Sequence, residues 1–199
     1  MLDINVDISF GALVALGLDA RMLTEENCLV NETILKFDRG EILADEFYSY
    51  IEGWLPEQVR LLPAEELRER ISDIWNMMLG SYAQAKIGRI MELRRQGKRV
   101  VLLSNTNEGH WDEIERRLYY VAGCHMDELF DELYLSYRMR MRKPEPEIFQ
   151  ELLRCEGAEP QDCIFFDDSQ ENCDAARSVG IDAVNVERNA AWDNIPLLG

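Results

Sequence analysis

The sequence predicts an α/β fold in which a helical bundle precedes a core built on a parallel β-sheet. Two contrasts along the chain carry that reading. Residues from about 8 to 92 read almost entirely as amphipathic helix, whereas from Gly97 onward short apolar runs alternate with helices. With 199 residues and 47% hydrophobic composition, the chain suffices for one good-sized core plus a small cap and is short for two independent domains.

Within the helical part, Phe47, Tyr50, Ile51 and Trp54 recur at helical spacing and predict one apolar face. Pro63 opens a second helix with Glu65 and Glu66 in its first turn, where acids suit the helix dipole. Its apolar positions continue through Ile71, Ile74, Trp75, Met78 and Leu79. An aromatic and methionine stripe of this kind reads as packed helix–helix core rather than as a ligand surface.

In the second part, four strands are expected: Arg99 to Leu103, Leu133 to Ser136, Cys163 to Phe166, and Ile181 to Val186. Between them lie a helix through Ile114 and Leu118, one through Ile148, Leu152 and Leu153, and one from about Glu171 to Ser178 that stops at Gly180. Continuous apolar strands separated by helices imply a parallel sheet with right-handed crossovers, buried on both faces. The expected domains are a helical cap over 8–92 and a Rossmann-like core over 93–199 joined by 1–7.

A formal charge of -17 argues against nucleic acid, whose phosphates call for Lys and Arg, and describes an acidic, soluble surface. No apolar run approaches the roughly 18 residues of a membrane span, and no secretory signal is read at the N-terminus. Five cysteines without a CxxC pair read as reduced thiols of a cytoplasmic protein, Cys163 among them inside a buried strand. His110 and His125, fifteen residues apart without ligand spacing, read as surface or helix positions.

Ligands of open α/β sheets bind beyond the carboxyl ends of the strands, so the residues that follow each strand are the candidates. After the first comes Ser104-Asn105-Thr106-Asn107, a cluster of short donors that could bind an anion or simply cap a helix. Beyond the second lies Lys143-Pro144, whose ammonium could face a phosphoryl oxygen or a carboxylate, or be solvated among its Arg neighbours. The third ends in Asp167-Asp168, adjacent carboxylates whose repulsion a cation such as Mg2+ would relieve; turn and cap chemistry is the plain alternative.

Taken in order, Ser104, then Lys143-Pro144, then Asp167-Asp168 at successive strand ends resembles motifs II, III and IV of the haloacid dehalogenase-like superfamily. Asn172 falls where many members have a second acid. The Arg39-Gly40-Glu41 turn and the helices around it look like that superfamily's C1 cap, and the chain is similar to its bacterial phosphatases of sugar phosphates such as α-glucose 1-phosphate. The resemblance implies a hydrolase, a phosphatase of a small phosphorylated metabolite that uses Mg2+ and an aspartyl-phosphate. It implies that Ser104 and Asn105 bind phosphoryl oxygens, that Lys143 neutralises developing charge, and that Asp168 holds Mg2+ with Asp167 in support. A monomer or homodimer without nucleic-acid or membrane partners is expected.

The first core strand, which in the superfamily ends in the nucleophilic Asp, is not found and is read as absent or degenerate. Only Met1 and Leu2 precede Asp3, and the segment after Asp7 reads as the start of the cap, so motif I is expected upstream of Met1. Two alternatives remain: a catalytically silent relative that binds a phosphorylated ligand or protein, with Met1 to Val6 moved in as a degenerate strand, and dehalogenase chemistry at carbon.

Overall fold

The computed structural model describes residues 2–23 and 28–186. The chain starts with β1 (Leu2–Ile4) and α1 (Val6–Leu16), which Asn5 caps by accepting from the Asp7 N–H. The bundle continues with α2 (Cys28–Asp38), α3 (Ala44–Trp54), the single turn α4 (Glu57–Arg60) and α5 (Ala64–Asn76). Its core gathers Leu13, Phe37, Phe47, Ile51, Leu67, Ile71 and Trp75, with the Phe37 and Phe47 rings stacked at 4.3 Å. The buried face of α3 is Phe47, Tyr48 and Ile51; Tyr50, expected inside, is 43% exposed.

The helix begun at Pro63 does not run through Leu79. It ends at Asn76, and Leu79 opens a strand, β2 (Leu79–Tyr82), that pairs antiparallel with β1. The N-terminal segment is therefore occupied by β2 and does not join the parallel strands as a degenerate first member. Next, α6 (Gln84–Arg95) starts inside the 8–92 span and runs past its end, and its Ile87 and Ile90 pack with residues of the segments that follow.

The second part alternates as expected: β3 (Val101–Ser104), α7 (Glu108–Ala122), the turn α8 (Met126–Leu129), β4 (Glu132–Leu135), the turn α9 (Ser136–Met139), α10 (Pro146–Glu156), β5 (Ile164–Asp167), α11 (Gln170–Ser178) and β6 (Asp182–Asn185). Gly180, at φ +91°, ends α11 in a Schellman arrangement: its N–H donates to Arg177 and that of Ile181 to Ala176. Cys163 precedes β5, half-buried, and is not within the strand; with Cys124, Cys155 and Cys173 it is a free thiol.

Pairing is parallel, β3 with β4 and β5 with β6, as two separate ladders. Among the described residues β3 and β5 are each paired on one side only. One apolar cluster nevertheless spans both ladders, with Leu103 and Tyr134 from the first and Ala183 from the second around Ile148, Phe149 and Cys173. Val101 and Leu102 on β3, and Ile164, Phe165 and Phe166 on β5, are half-buried rather than covered on both faces as the sequence implied. Each of these strands is paired on one side only among the described residues, and its free edge leaves these side chains partly open. No helix among the described residues is long and apolar enough to cross a membrane.

Candidate active site

The carboxyl ends of β3 and β5, together with the loop after α9, bring Ser104, Asn105, Lys143 and Asp167 to one place. Lys143 is 7% exposed, and its Nζ donates to the Leu103 carbonyl oxygen on β3 (3.0 Å) and to Asp167 Oδ2 at the end of β5 (2.6 Å). It also lies 5.3 Å from the centre of the Phe165 ring. One ammonium thus joins the two ladders. The other carboxylate oxygen of Asp167 accepts from the Ser169 N–H and from Asn172 Nδ2, both at 2.9 Å. Asp167 is thereby held in place by three donors in a buried setting, and Ser169 caps α11 behind it.

Asn105 fixes the lysine's backbone. Its Nδ2 donates to the Lys143 carbonyl and its Oδ1 accepts from the Lys143 N–H, each at 2.9 Å, and the following Lys143–Pro144 peptide is cis. The buried Ser136 hydroxyl accepts from the Thr106 N–H and donates to the Thr106 carbonyl, which sets the turn after β3. Asn107 caps α7 through the His110 N–H. The half-buried Ser104 hydroxyl donates only at the 3.5 Å limit, to the Asn105 carbonyl. Asp168 is exposed at the tip of β5.

Around this centre the helical part touches the sheet through groups the sequence did not single out. Asp38, the last residue of α2, accepts from Asn107 Nδ2 at 3.1 Å and lies 3.9 Å from the Arg142 guanidinium. Burial pushes its carboxyl up from the ordinary range, against the opposing pull of Asn107, Arg142 and Arg39. Arg39 is paired with Glu145. Gly40, at φ +64°, lies so close to the Tyr137 carbonyl that a Cβ would overlap it. His110 is buried in α7, its ring parallel to Trp75 at 5.2 Å and its Nδ1 2.8 Å from Asn76 Oδ1; desolvation lowers its pKa to about 3. His125 is exposed at the start of α8. Asp38 and Arg142 carry no periodic or motif signal, and only their neighbours in sequence, Arg39-Gly40 and Lys143, could have pointed to them.

A family model of haloacid dehalogenase-like hydrolases matches residues 43–180, and the chain belongs to that family of hydrolases. It is 26% identical over 192 residues to a D-ribitol-5-phosphate phosphatase of Bacteroides thetaiotaomicron, spanning 96% of this chain and 89% of that protein. A sesquiterpene phosphatase of Aspergillus oryzae is 26% identical over 151 residues, 76% of this chain and 70% of that one. A HAD family enzyme from Bacteroides thetaiotaomicron, crystallised with magnesium and inorganic phosphate, superimposes with a TM-score of 0.83 at 25% identity, over 98% of this chain and 93% of the other.

Proposed function

We propose that the chain is a Mg2+-dependent phosphatase of a small phosphorylated metabolite, such as a sugar or polyol phosphate, acting in the cytoplasm. The observation that carries the proposal is the Lys143 ammonium, which reaches from the β3 backbone to Asp167 and so joins the ends of β3 and β5 to the loop after α9 within hydrogen-bond range. A cation held there neutralises charge developing on a phosphoryl group, in a setting poor enough in water to make it effective. Ser104 and the turn to Asn107 at the head of α7 bind phosphoryl oxygens, favoured by the helix N-terminus.

The donor set fits magnesium. Mg2+ takes hard oxygen ligands and is typically held by one or two carboxylates plus water and phosphate oxygens, which is what adjacent Asp167 and Asp168 offer. Asp168 would hold the ion and Asp167 would support it, oriented by Lys143, Ser169 and Asn172. When bound, the ion polarises the phosphoryl oxygens and offsets their charge. Among the described residues no three His, Cys, Asp or Glu side chains gather into a cage, consistent with an ion that keeps water and substrate as ligands.

The reaction we assign passes through an aspartyl-phosphate. The bundle serves as the cap that excludes water and meets the leaving group. The ligand-binding alternative has one observation in its favour: Asp3 lies in β1 and Asp7 in the first turn of α1, neither of them at the carboxyl end of a parallel strand. Phosphate release from a panel of phosphate monoesters, with and without EDTA, decides between the two. Mg2+-dependent release supports the phosphatase; calorimetric binding of the same esters without release supports the silent relative.

A further inference from the structure

We infer that Asp38 and Arg142 form a hydroxyl-binding pair that selects a polyhydroxylated leaving group. The inference rests on the phosphatase proposal and deepens it. Asp38 comes from the helical part and Arg142 from the loop that carries Lys143, so the pair lies across the seam between cap and sheet, one residue from the proposed phosphoryl-binding cation. Asn107, the cap of α7, completes it.

The pair is incompletely satisfied in a way that specifies its ligand. A carboxylate has about four lone-pair sites. The Asp38 side chain, 17% exposed, accepts from Asn107 on Oδ1, while Oδ2 faces Arg142 at 3.9 Å, beyond hydrogen-bond range. On the same guanidinium, Nε is out of solvent with no hydrogen-bond partner, and so is the Thr106 hydroxyl two residues past Ser104. Buried polar atoms without partners are rare, and each one calls for a group that would complete it. An alcohol donates its O–H to a carboxylate and accepts an N–H from a guanidinium, so a hydroxyl seated between Asp38 Oδ2 and the Arg142 guanidinium, 3.9 Å apart, would serve both. Neighbouring hydroxyls of a polyol could reach Thr106 as well. An apolar leaving group would leave acceptor and donor desolvated and unpaired, and sites built to hydrogen-bond a hydroxyl reject analogues that lack it. Arg39 adds charge to the same rim but is already paired with Glu145.

The test is calorimetry on the full chain with Mg2+, using inorganic phosphate, D-ribitol 5-phosphate and phenyl phosphate as probes. Wild type is expected to bind ribitol 5-phosphate at least about tenfold more tightly than phenyl phosphate. Asp38→Asn, which keeps the side chain's shape, and Arg142→Lys, which keeps the charge and removes Nε, should each reduce that preference by about tenfold, and Asp38→Glu should restore part of it. Thermal unfolding verifies that each variant is folded. A preference absent in wild type or untouched by both substitutions overturns the inference. So does a parallel fall for all three probes, which is what a group that merely holds the seam together would produce. If wild type binds phosphate but does not prefer the polyol ester, this inference alone fails; if it binds none of the probes, the phosphatase proposal fails with it.

Discussion

The Lys143 ammonium stands 2.6 Å from Asp167 Oδ2, with 9% and 8% of the two side chains exposed, and the same nitrogen holds the Leu103 carbonyl of the neighbouring ladder. A buried ion pair adds little net stability compared with an apolar pair, but removing one partner strands the other charge. Lys143→Met is therefore expected to destabilise the fold by about 3–5 kcal/mol, measured by urea unfolding. Lys143→Met combined with Asp167→Asn should recover more than half of that loss. The neutral amide keeps an oxygen for the Ser169 N–H and leaves no charge behind. A double variant as unstable as the single one would show that the two groups are not coupled.

Glycines separate into two kinds. Gly40 has φ +64°, and a Cβ there would run into the Tyr137 backbone, which cannot step aside as a flexible side chain could. Gly40→Ala is expected to lower stability by at least about 2 kcal/mol, from strain and displacement combined. Gly11 in α1, Gly53 in α3 and Gly88 in α6 have open space where a Cβ would stand. Alanine at each should raise stability by about 0.5–1 kcal/mol, because helix interiors favour it over glycine. Unfolding curves of the four variants check both signs.

The parallel ladders were legible because Val101 to Leu103 and Ile164 to Phe166 are apolar without interruption and end in polar turn residues, a local signal. β2 was not. Leu79 continues the helical spacing of Ile71, Trp75 and Met78, and it becomes a strand only through pairing with β1, more than seventy residues earlier. The same division holds at the site. Ser104, Lys143 and Asp167 could be placed because topology delivers strand ends to a common edge. Asp38 reaches Asn107 through the docking of one helix on another part of the chain, and nothing in the local sequence encodes that distance.

His110 makes stability depend on pH with a definite sign. Burial beneath Trp75 lowers its pKa from an ordinary 6.5 to about 3, so the folded protein holds it neutral where the unfolded chain takes up a proton. The stabilisation is fully present above pH 6.5 and is lost as pH falls from there towards 3, by up to about 1.4 kcal/mol per unit. Asp38 acts in the opposite direction: its raised pKa favours the folded state at acid pH and withdraws that contribution as pH rises through the folded value. His110→Phe isolates the first effect. Its unfolding free energy should fall less steeply than that of wild type between pH 6.5 and 4, and identical slopes would show that the imidazole is not held neutral.

Asp167 and Asp168 adjoin in sequence but differ in situation, and a metal titration can tell them apart. Asp167 is buried and held by Lys143, Ser169 and Asn172, whereas Asp168 is exposed at the tip of β5. A ligand that binds only the folded state stabilises it by about 2.7 kcal/mol at a hundred times its dissociation constant. For a chain of this size that corresponds to roughly 5–10 °C in melting temperature. Mg2+ with inorganic phosphate should produce a rise of that order in wild type, and EDTA should reverse it. Asp168→Asn should melt within about 0.5 kcal/mol of wild type without metal, as surface changes usually do, yet lose the rise. Asp167→Asn should be less stable from the outset, because it removes the carboxylate from the buried Lys143. If Asp168→Asn kept the full Mg2+-dependent rise, the ion would have to be held elsewhere and the assignment of Asp168 as its ligand would fall.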